Sequence, residues 1–226
     1  MFIRLEKLKN IGYTPSTILD IGAYKGDWTK DMLKIYPDSK YYLIEANDHR
    51  AIDSLANIRN IHIYKNTILN DKIQEVDWYQ NHKTGDSMFK ENTQFYKDTT
   101  PTKKTSIDLN SFLTNNNIDM SKEDIFIKID CQGAEIPILK GSSTILNNTS
   151  FILIELPLFG NYNSNVPNFL EHIQFMDDIG FIPYDLTNIL YLKEFAVQLD
   201  MLFINKKHKL NEIVQEKIQN ITKKII

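Results

Sequence analysis

Ile18-Leu19-Asp20-Ile21-Gly22-Ala23-Tyr24-Lys25-Gly26-Asp27 is the stretch whose reading decides the fold. A short apolar run ends in an acid, turns through two glycines and opens an amphipathic segment. The run reads as a buried strand. The glycines let backbone N–H groups approach a ligand where a helix begins. A dinucleotide-binding turn has the spacing Gly-x-Gly-x-x-Gly. Aligned on Gly22, Gly26 lies one residue too far on for the third glycine, and Asp20 replaces the first. A carboxylate there repels a pyrophosphate and welcomes a cation, such as the ammonium of an amino-acid moiety. This points to S-adenosylmethionine rather than a nicotinamide dinucleotide.

Working outward, apolar runs at 17–21, 41–45, 61–64, 125–130 and 151–156 read as buried strands. Amphipathic stretches at 27–36, 48–56, 109–114 and 134–139 lie between them, and a further helix is expected over 167–179, closed by Gly180. Strands alternating with helices predict an α/β, doubly wound parallel sheet. Two final runs, 181–184 and 199–205, have no clear helix between them and predict an antiparallel hairpin at the sheet edge. The total is a Rossmann-like sheet of about seven strands. Residues 66–104 break the alternation: they are polar, lack helical periodicity and carry turn signals at Gly85-Asp86 and Thr99-Thr100-Pro101, so they read as an inserted hairpin or substrate loop. Residues 206–226 space Leu210, Ile213, Val214, Ile218 and Ile221 as one face of an amphipathic helix.

The chain has 226 residues, 42% of them hydrophobic and 24% charged, enough for a core in a single domain spanning 1–226. A net charge of −3 argues against a phosphate backbone as partner, so no nucleic acid is expected. The single Cys131 makes no internal disulfide, and no apolar run is long enough for a membrane span. A cytoplasmic protein is expected, and homo-oligomerisation stays open.

The second strand ends in Glu45, placed to hold two ribose hydroxyls. In Ile125-Phe126-Ile127-Lys128-Ile129-Asp130, Lys128 sits in what should be the centre of the sheet, where an ammonium must be paired. Alternation puts Lys128 and Asp130 on one face. If the strand order reverses after the first three strands, Asp20, Lys128, Asp130 and Glu155 gather at the carboxyl ends of neighbouring strands, where ligands bind in such sheets. A structural ion-pair cluster is the alternative.

Leu19-Asp20-Ile21-Gly22-Ala23-x-x-Gly26, Ile127-Lys128-Ile129-Asp130-x-Gln132-Gly133-Ala134-Glu135 and Ile154-Glu155 together resemble the FkbM family of S-adenosylmethionine-dependent methyltransferases. The resemblance runs from about Ile18 to Phe203, with 66–104 matching poorly. It implies a class I methyltransferase fold and O-methylation of a sugar, glycan or related small-molecule hydroxyl. It also implies roles: Asp20, Gly22, Ala23, Tyr24 and Gly26 cradling the methionine part, Glu45 the ribose, Ile68 and Leu69 the adenine, and Asp130 and Glu155 facing the methyl and the acceptor as the catalytic pair. Asp130 is counted with the cofactor as well.

His49, His62, His82, His172 and His208 show no metal-binding spacing, and Asp130 and Glu155 lack a clear third ligand, so a metal-free site is favoured, with a magnesium ion shared by the two carboxylates as the alternative. His82, in the insert, is a reserve candidate for the base. Cys131 reads as a packing residue. The segment 156–163, apolar then amide-rich, follows a strand tip and is expected to touch the acceptor. A non-catalytic S-adenosylmethionine-binding subunit and, further off, a nucleotide-dependent oxidoreductase are the competing readings.

Overall fold

In chain order, the strands are β1 (Thr17–Ile21), β2 (Lys40–Ile44), β3 (Ile61–Tyr64), β4 (Ile68–Asn70), β5 (Gln74–Trp78), β6 (Thr102–Asp108), β7 (Ile125–Ile129), β8 (Thr149–Pro157), β9 (Phe181–Leu192) and β10 (Phe195–Asn205). The α-helices are α1 (Phe2–Asn10), α2 (Asp27–Ile35), α3 (Leu109–Asn115), α4 (Glu135–Lys140), α5 (Phe169–Asp178) and α6 (Lys209–Ile225). They come from a computed structural model, which describes residues 1–48, 50–158 and 163–225. His49, residues 159–162 of the segment expected to touch the acceptor, and Ile226 of the C-terminal helix lie outside the described residues.

Seven strands form one sheet in the order β3-β2-β1-β7-β8-β10-β9. The first five run parallel; β10 alone is reversed, pairing antiparallel with β8 on one side and with β9 on the other. The order reverses at β1, so β7 lies between β1 and β8 as the alternation of segments predicts. Side chains alternate between two cores. Leu19, Ile21, Ile127, Ile129, Ile152 and Ile154 pack with Leu109, Phe112, Leu139 and Met176 on one face. Ile18, Leu43, Phe126, Phe151 and Leu153 pack with Leu5, Leu8, Met32 and Ile52 on the other. With both faces covered, the parallel strands read as unbroken apolar runs.

Four elements depart from expectation. Helix α1 has no counterpart in the sequence reading: its buried contribution is Leu5 and Leu8, too few for a periodic signal. The stretch at 48–56 forms a 3-10 helix over Arg50–Leu55 rather than an α-helix. The terminal hairpin is longer than its two apolar runs: β9 runs on to Leu192 and β10 starts at Phe195, and their last pairs lie beyond the Pro157–Gln198 pair of β8. The insert contains a hairpin, one of its two expected forms, with β5 and β6 pairing antiparallel around residues 79–101, but β4 joins it in a three-stranded sheet that was not expected.

Candidate active site

The carboxyl ends of β1, β2, β7 and β8 open into a cavity of about 570 Å³, within the size range of small-molecule sites. Of the residues singled out in the sequence, Gly22, Tyr24, Glu45, Ile68, Leu69, Asp130 and Glu155 line it. Ala23 and Gly26 do not; they shape the turn from behind, Gly26 as the left-handed residue that starts α2. At Gly22 (φ 75°) a Cβ would sit 2.0 Å from the carbonyl oxygen of Asp130, so glycine is what lets the β1 and β7 tips meet.

On the β1–β2 side the acids are held by donors. Glu45 accepts from the backbone N–H of Tyr24 (2.7 Å) and of Asn47 (2.8 Å). This fixes its carboxylate at the cavity wall, next to the apolar pair Ile68 and Leu69. Asp20 is placed otherwise than the sequence reading had it. It is 0% exposed and is not part of the cavity wall. Its carboxylate accepts from the Thr29 hydroxyl (2.6 Å) and stands 3.3 Å from the Lys128 ammonium. The reason is register: Asp20 lies directly opposite Lys128 on the neighbouring strand, and the buried cation takes the nearest carboxylate. Lys128 also stands 3.5 Å from Asp130 and donates to the Gly22 carbonyl (3.0 Å). Burial pulls its pKa down, but the charges of Asp20 and Asp130 outweigh that and hold it above the ordinary lysine value.

On the β7–β8 side the acids crowd each other. Gln132 bridges them, its amide donating to Asp130 (3.1 Å) and Glu155 (2.7 Å). Gln132 holds a left-handed conformation (φ 53°) beside Gly133, which turns its side chain back over both strand tips. Glu155 faces Asp200 across the β8–β10 pair. Burial, then the charges of Asp130, Asp200 and Glu135, push its pKa well above the ordinary carboxylate value. Glu135 is pushed up to about 7, mainly by burial, although it accepts from the N–H groups of Cys131 and Gly133. Burial also raises the Cys131 thiol, which suits a packing residue. Among the described residues no group of three or more His, Cys, Asp and Glu is arranged to hold a metal ion.

The insert roofs the cavity. Asp86 accepts from Asn47 (3.0 Å) and from the Tyr96 hydroxyl (2.7 Å), and Asn47 accepts from Trp78 (3.3 Å) and Gln80 (2.9 Å). Ser87 donates to the carbonyls of Cys131 and Gln132. Asn163 donates to the Phe89 carbonyl (2.9 Å), tying the segment after β8 to the same roof. Lys83, Phe95 and, from β9, Leu190 border the cavity. His82 is exposed and is not part of the wall. The sequence reading missed Asn47, Asp86 and Gln132 as site residues. A polar residue two positions after each strand-end acid was the available signal for Asn47 and Gln132.

The family pattern described as the methyltransferase FkbM domain matches residues 20–183. Among solved structures, the chain is similar to a 1,6-didemethyltoxoflavin N1-methyltransferase from Burkholderia thailandensis with bound 1,6-didemethyltoxoflavin and S-adenosylhomocysteine. The identity is 10% over 91% of this chain and 79% of that one, with a TM-score of 0.51. It is similar to a methyltransferase FkbM from Methylobacillus flagellatus KT at 14% identity, covering 82% of this chain and 43% of that one, with a TM-score of 0.49. A precorrin-6y C5,15-methyltransferase from Geobacter metallireducens GS-15 is 13% identical over 91% and 88% of the two chains, with a TM-score of 0.48. The chain thus spans less than half the length of the Methylobacillus protein. No curated protein matches it. The reversed sheet with its antiparallel terminal hairpin is the class I architecture of S-adenosylmethionine-dependent methyltransferases. Within that class the chain belongs to the FkbM methyltransferase domain family, and its cofactor is S-adenosylmethionine. No helix among the described residues is long and apolar enough to cross a membrane.

Proposed function

We propose that the chain methylates a hydroxyl of a sugar, glycan or related small-molecule acceptor, with Glu155 as the base. The observation that carries this reading is Glu155 itself. It lines the cavity beside Asp130, with surroundings that raise its proton affinity toward the range useful at neutral pH. S-adenosylmethionine supplies a methyl group on a positively charged sulfur. The cavity suits it: Glu45 is fixed where ribose hydroxyls can be held, Ile68 and Leu69 offer an apolar wall for a flat base, and the volume is sufficient. Glu155 would take the proton of an acceptor hydroxyl as that oxygen receives the methyl group. Asp130 lines the region between the two halves, and Gln132 keeps both carboxylates in place. Alignment is worth roughly 7–11 kcal/mol in such reactions and a positioned base roughly 10²–10⁴-fold.

The insert at 66–104 serves as the acceptor-side loop in this reading, since Lys83, Thr84, Glu91 and Phe95 border the cavity. The test is release of S-adenosylhomocysteine over a panel of sugar acceptors, comparing the parent chain with Glu155→Gln. Turnover on a hydroxyl acceptor that survives Glu155→Gln and Asp130→Asn unchanged would remove both residues from the chemistry.

A further inference from the structure

A second, small cavity of about 30 Å³ adjoins the main one and shares Gln132, Glu155 and Gln198 with its wall. Its walls include Gln132, Glu135, Glu155, Gln198 and His172. Room of about 10–15 Å³ suffices for one water molecule, and the site is polar enough to hold it. His172 projects from α5 and is 1% exposed. Its Nδ1 lies 2.8 Å from the carbonyl oxygen of Asn168. A carbonyl accepts and never donates, so Nδ1 carries the hydrogen and Nε2 is left as an acceptor. Nε2 is buried and has no hydrogen-bond partner among the described residues. A buried acceptor without a donor is costly, so a fold that keeps one has a partner for it.

We infer that this cavity holds a water that donates one hydrogen to His172 Nε2 and the other to the Glu155 carboxylate. His172 is then a positioning residue for the base, acting through the water. The inference rests on the reading of Glu155 as base for its purpose, though not for its existence. Glu155 is faced by Asp130 and, beyond it, Lys128 from β7, by Asp200 from β10 and by Glu135 from α4, while His172 is faced by Glu171 from its own helix. The Gln132 amide is the donor already seen on Glu155. A second donor favours the ionised form, which is the form that can take a proton. An imidazole suits this post because burial lowers its pKa and keeps it neutral, with its acceptor free, at ordinary pH.

The test uses the full chain with S-adenosylhomocysteine bound. Infrared difference spectra follow the Glu155 carboxyl from pH 5 to 9, assigned by its loss in Glu155→Gln. His172→Phe is expected to raise the Glu155 midpoint by about one pH unit, the scale of one hydrogen bond to the charged form. His172→Gln keeps an acceptor and is expected to restore most of it. An unmoved midpoint in a folded His172→Phe overturns the inference. A second measurement needs no change at His172: in nitrogen-15 histidine spectra, the Nε2 resonance of the Nδ1–H tautomer is expected at a hydrogen-bonded position that shifts in Glu155→Gln. A free-acceptor position, unaffected by that change, overturns it too. If the midpoint moves while Glu155→Gln keeps full turnover, the water site stands and the base assignment falls.

Discussion

At the tips of β1 and β2 each acid is matched by donors, whereas at the tips of β7, β8 and β10 acids face acids. Asp20 has Thr29 and Lys128, and Glu45 has two backbone N–H groups. Glu155 has Asp130, Asp200 and Glu135 around it and the Gln132 amide as its observed donor. The residue type is the same and the electrostatics are opposite. Matched charge stays charged and serves binding and stability. Crowded, desolvated charge keeps a proton to higher pH and, in the proposed reading, serves proton transfer. Lys128 joins the two regions, since its ammonium stands 3.3 Å from Asp20 and 3.5 Å from Asp130.

Removing that link should break the comparison most severely. Lys128→Met fills a similar volume and strands Asp20 in the interior. Losing one partner of a buried pair costs about 3–5 kcal/mol, a fall in melting temperature of roughly 6–20 degrees for a domain this size. Asp20→Asn should also destabilise, from the other end of the same pair. A Lys128→Met chain that melts with the parent would mean that the cation stabilises nothing and that the matched region is matched in appearance alone.

Next in size is the crowded region. Glu155→Gln keeps the shape and removes the titrating group. Turnover should fall about 10²-fold or more, with S-adenosylhomocysteine affinity by calorimetry nearly unchanged. In the parent, kcat should rise with pH through a midpoint above the ordinary carboxylate range, because the proposed base would work ionised and the pKa of Glu155 is raised. A kcat already at its plateau at pH 5 would contradict the crowding.

The contrast between the regions was partly visible in the sequence. Apolar runs broken by glycine turns placed β1, β2, β3, β7 and β8, because strands buried on both faces have few other compositions. Lys128 announced its own ion pair, since an ammonium in such a run has no other resolution. Which carboxylate it would take was not visible. The register that sets Asp20 opposite Lys128 depends on how two strands slide, and a slip of two residues would leave the same pattern of faces. Gln132 was hidden for a related reason: its reach to both Asp130 and Glu155 depends on a left-handed turn and on β7 lying beside β8. The roof was hidden because Asn47, Asp86 and Ser87 meet partners far along the chain through single hydrogen bonds, and such bonds leave no periodicity.

A smaller effect tests the matched side as a binding surface. Glu45→Ala should weaken S-adenosylhomocysteine by about 1–3 kcal/mol, roughly 5- to 150-fold in Kd, since it removes the acceptor that faces the cavity and frees the Tyr24 and Asn47 N–H groups. Asp20→Asn should weaken it less than Glu45→Ala does, because Asp20 has no surface on the cavity. The reverse order, measured on folded variants, would return Asp20 to the ligand and require the β1 tip to open when the cofactor binds.

The smallest expected effect lies in stability against pH and concerns Glu135. Its folded pKa of about 7 is above the ordinary value of 4.5, so between those limits the folded chain holds more protons than the unfolded one. Stability then falls as pH rises. The contribution is fully present below about 4.5 and is lost as pH passes through 7. Glu135→Gln cannot titrate and keeps one oxygen to accept from Cys131 or Gly133. The stability gap between parent and variant should therefore shift toward the variant between pH 5 and pH 8. The shift should be on the order of 1 kcal/mol, since the neighbouring acids titrate together and share the effect. Urea denaturation midpoints at four or five pH values would show it. A gap that stays constant across that range would mean that Glu135 is already ionised at pH 5, held by its two N–H donors. The charge of Glu135 would then bear on Glu155 throughout that pH range.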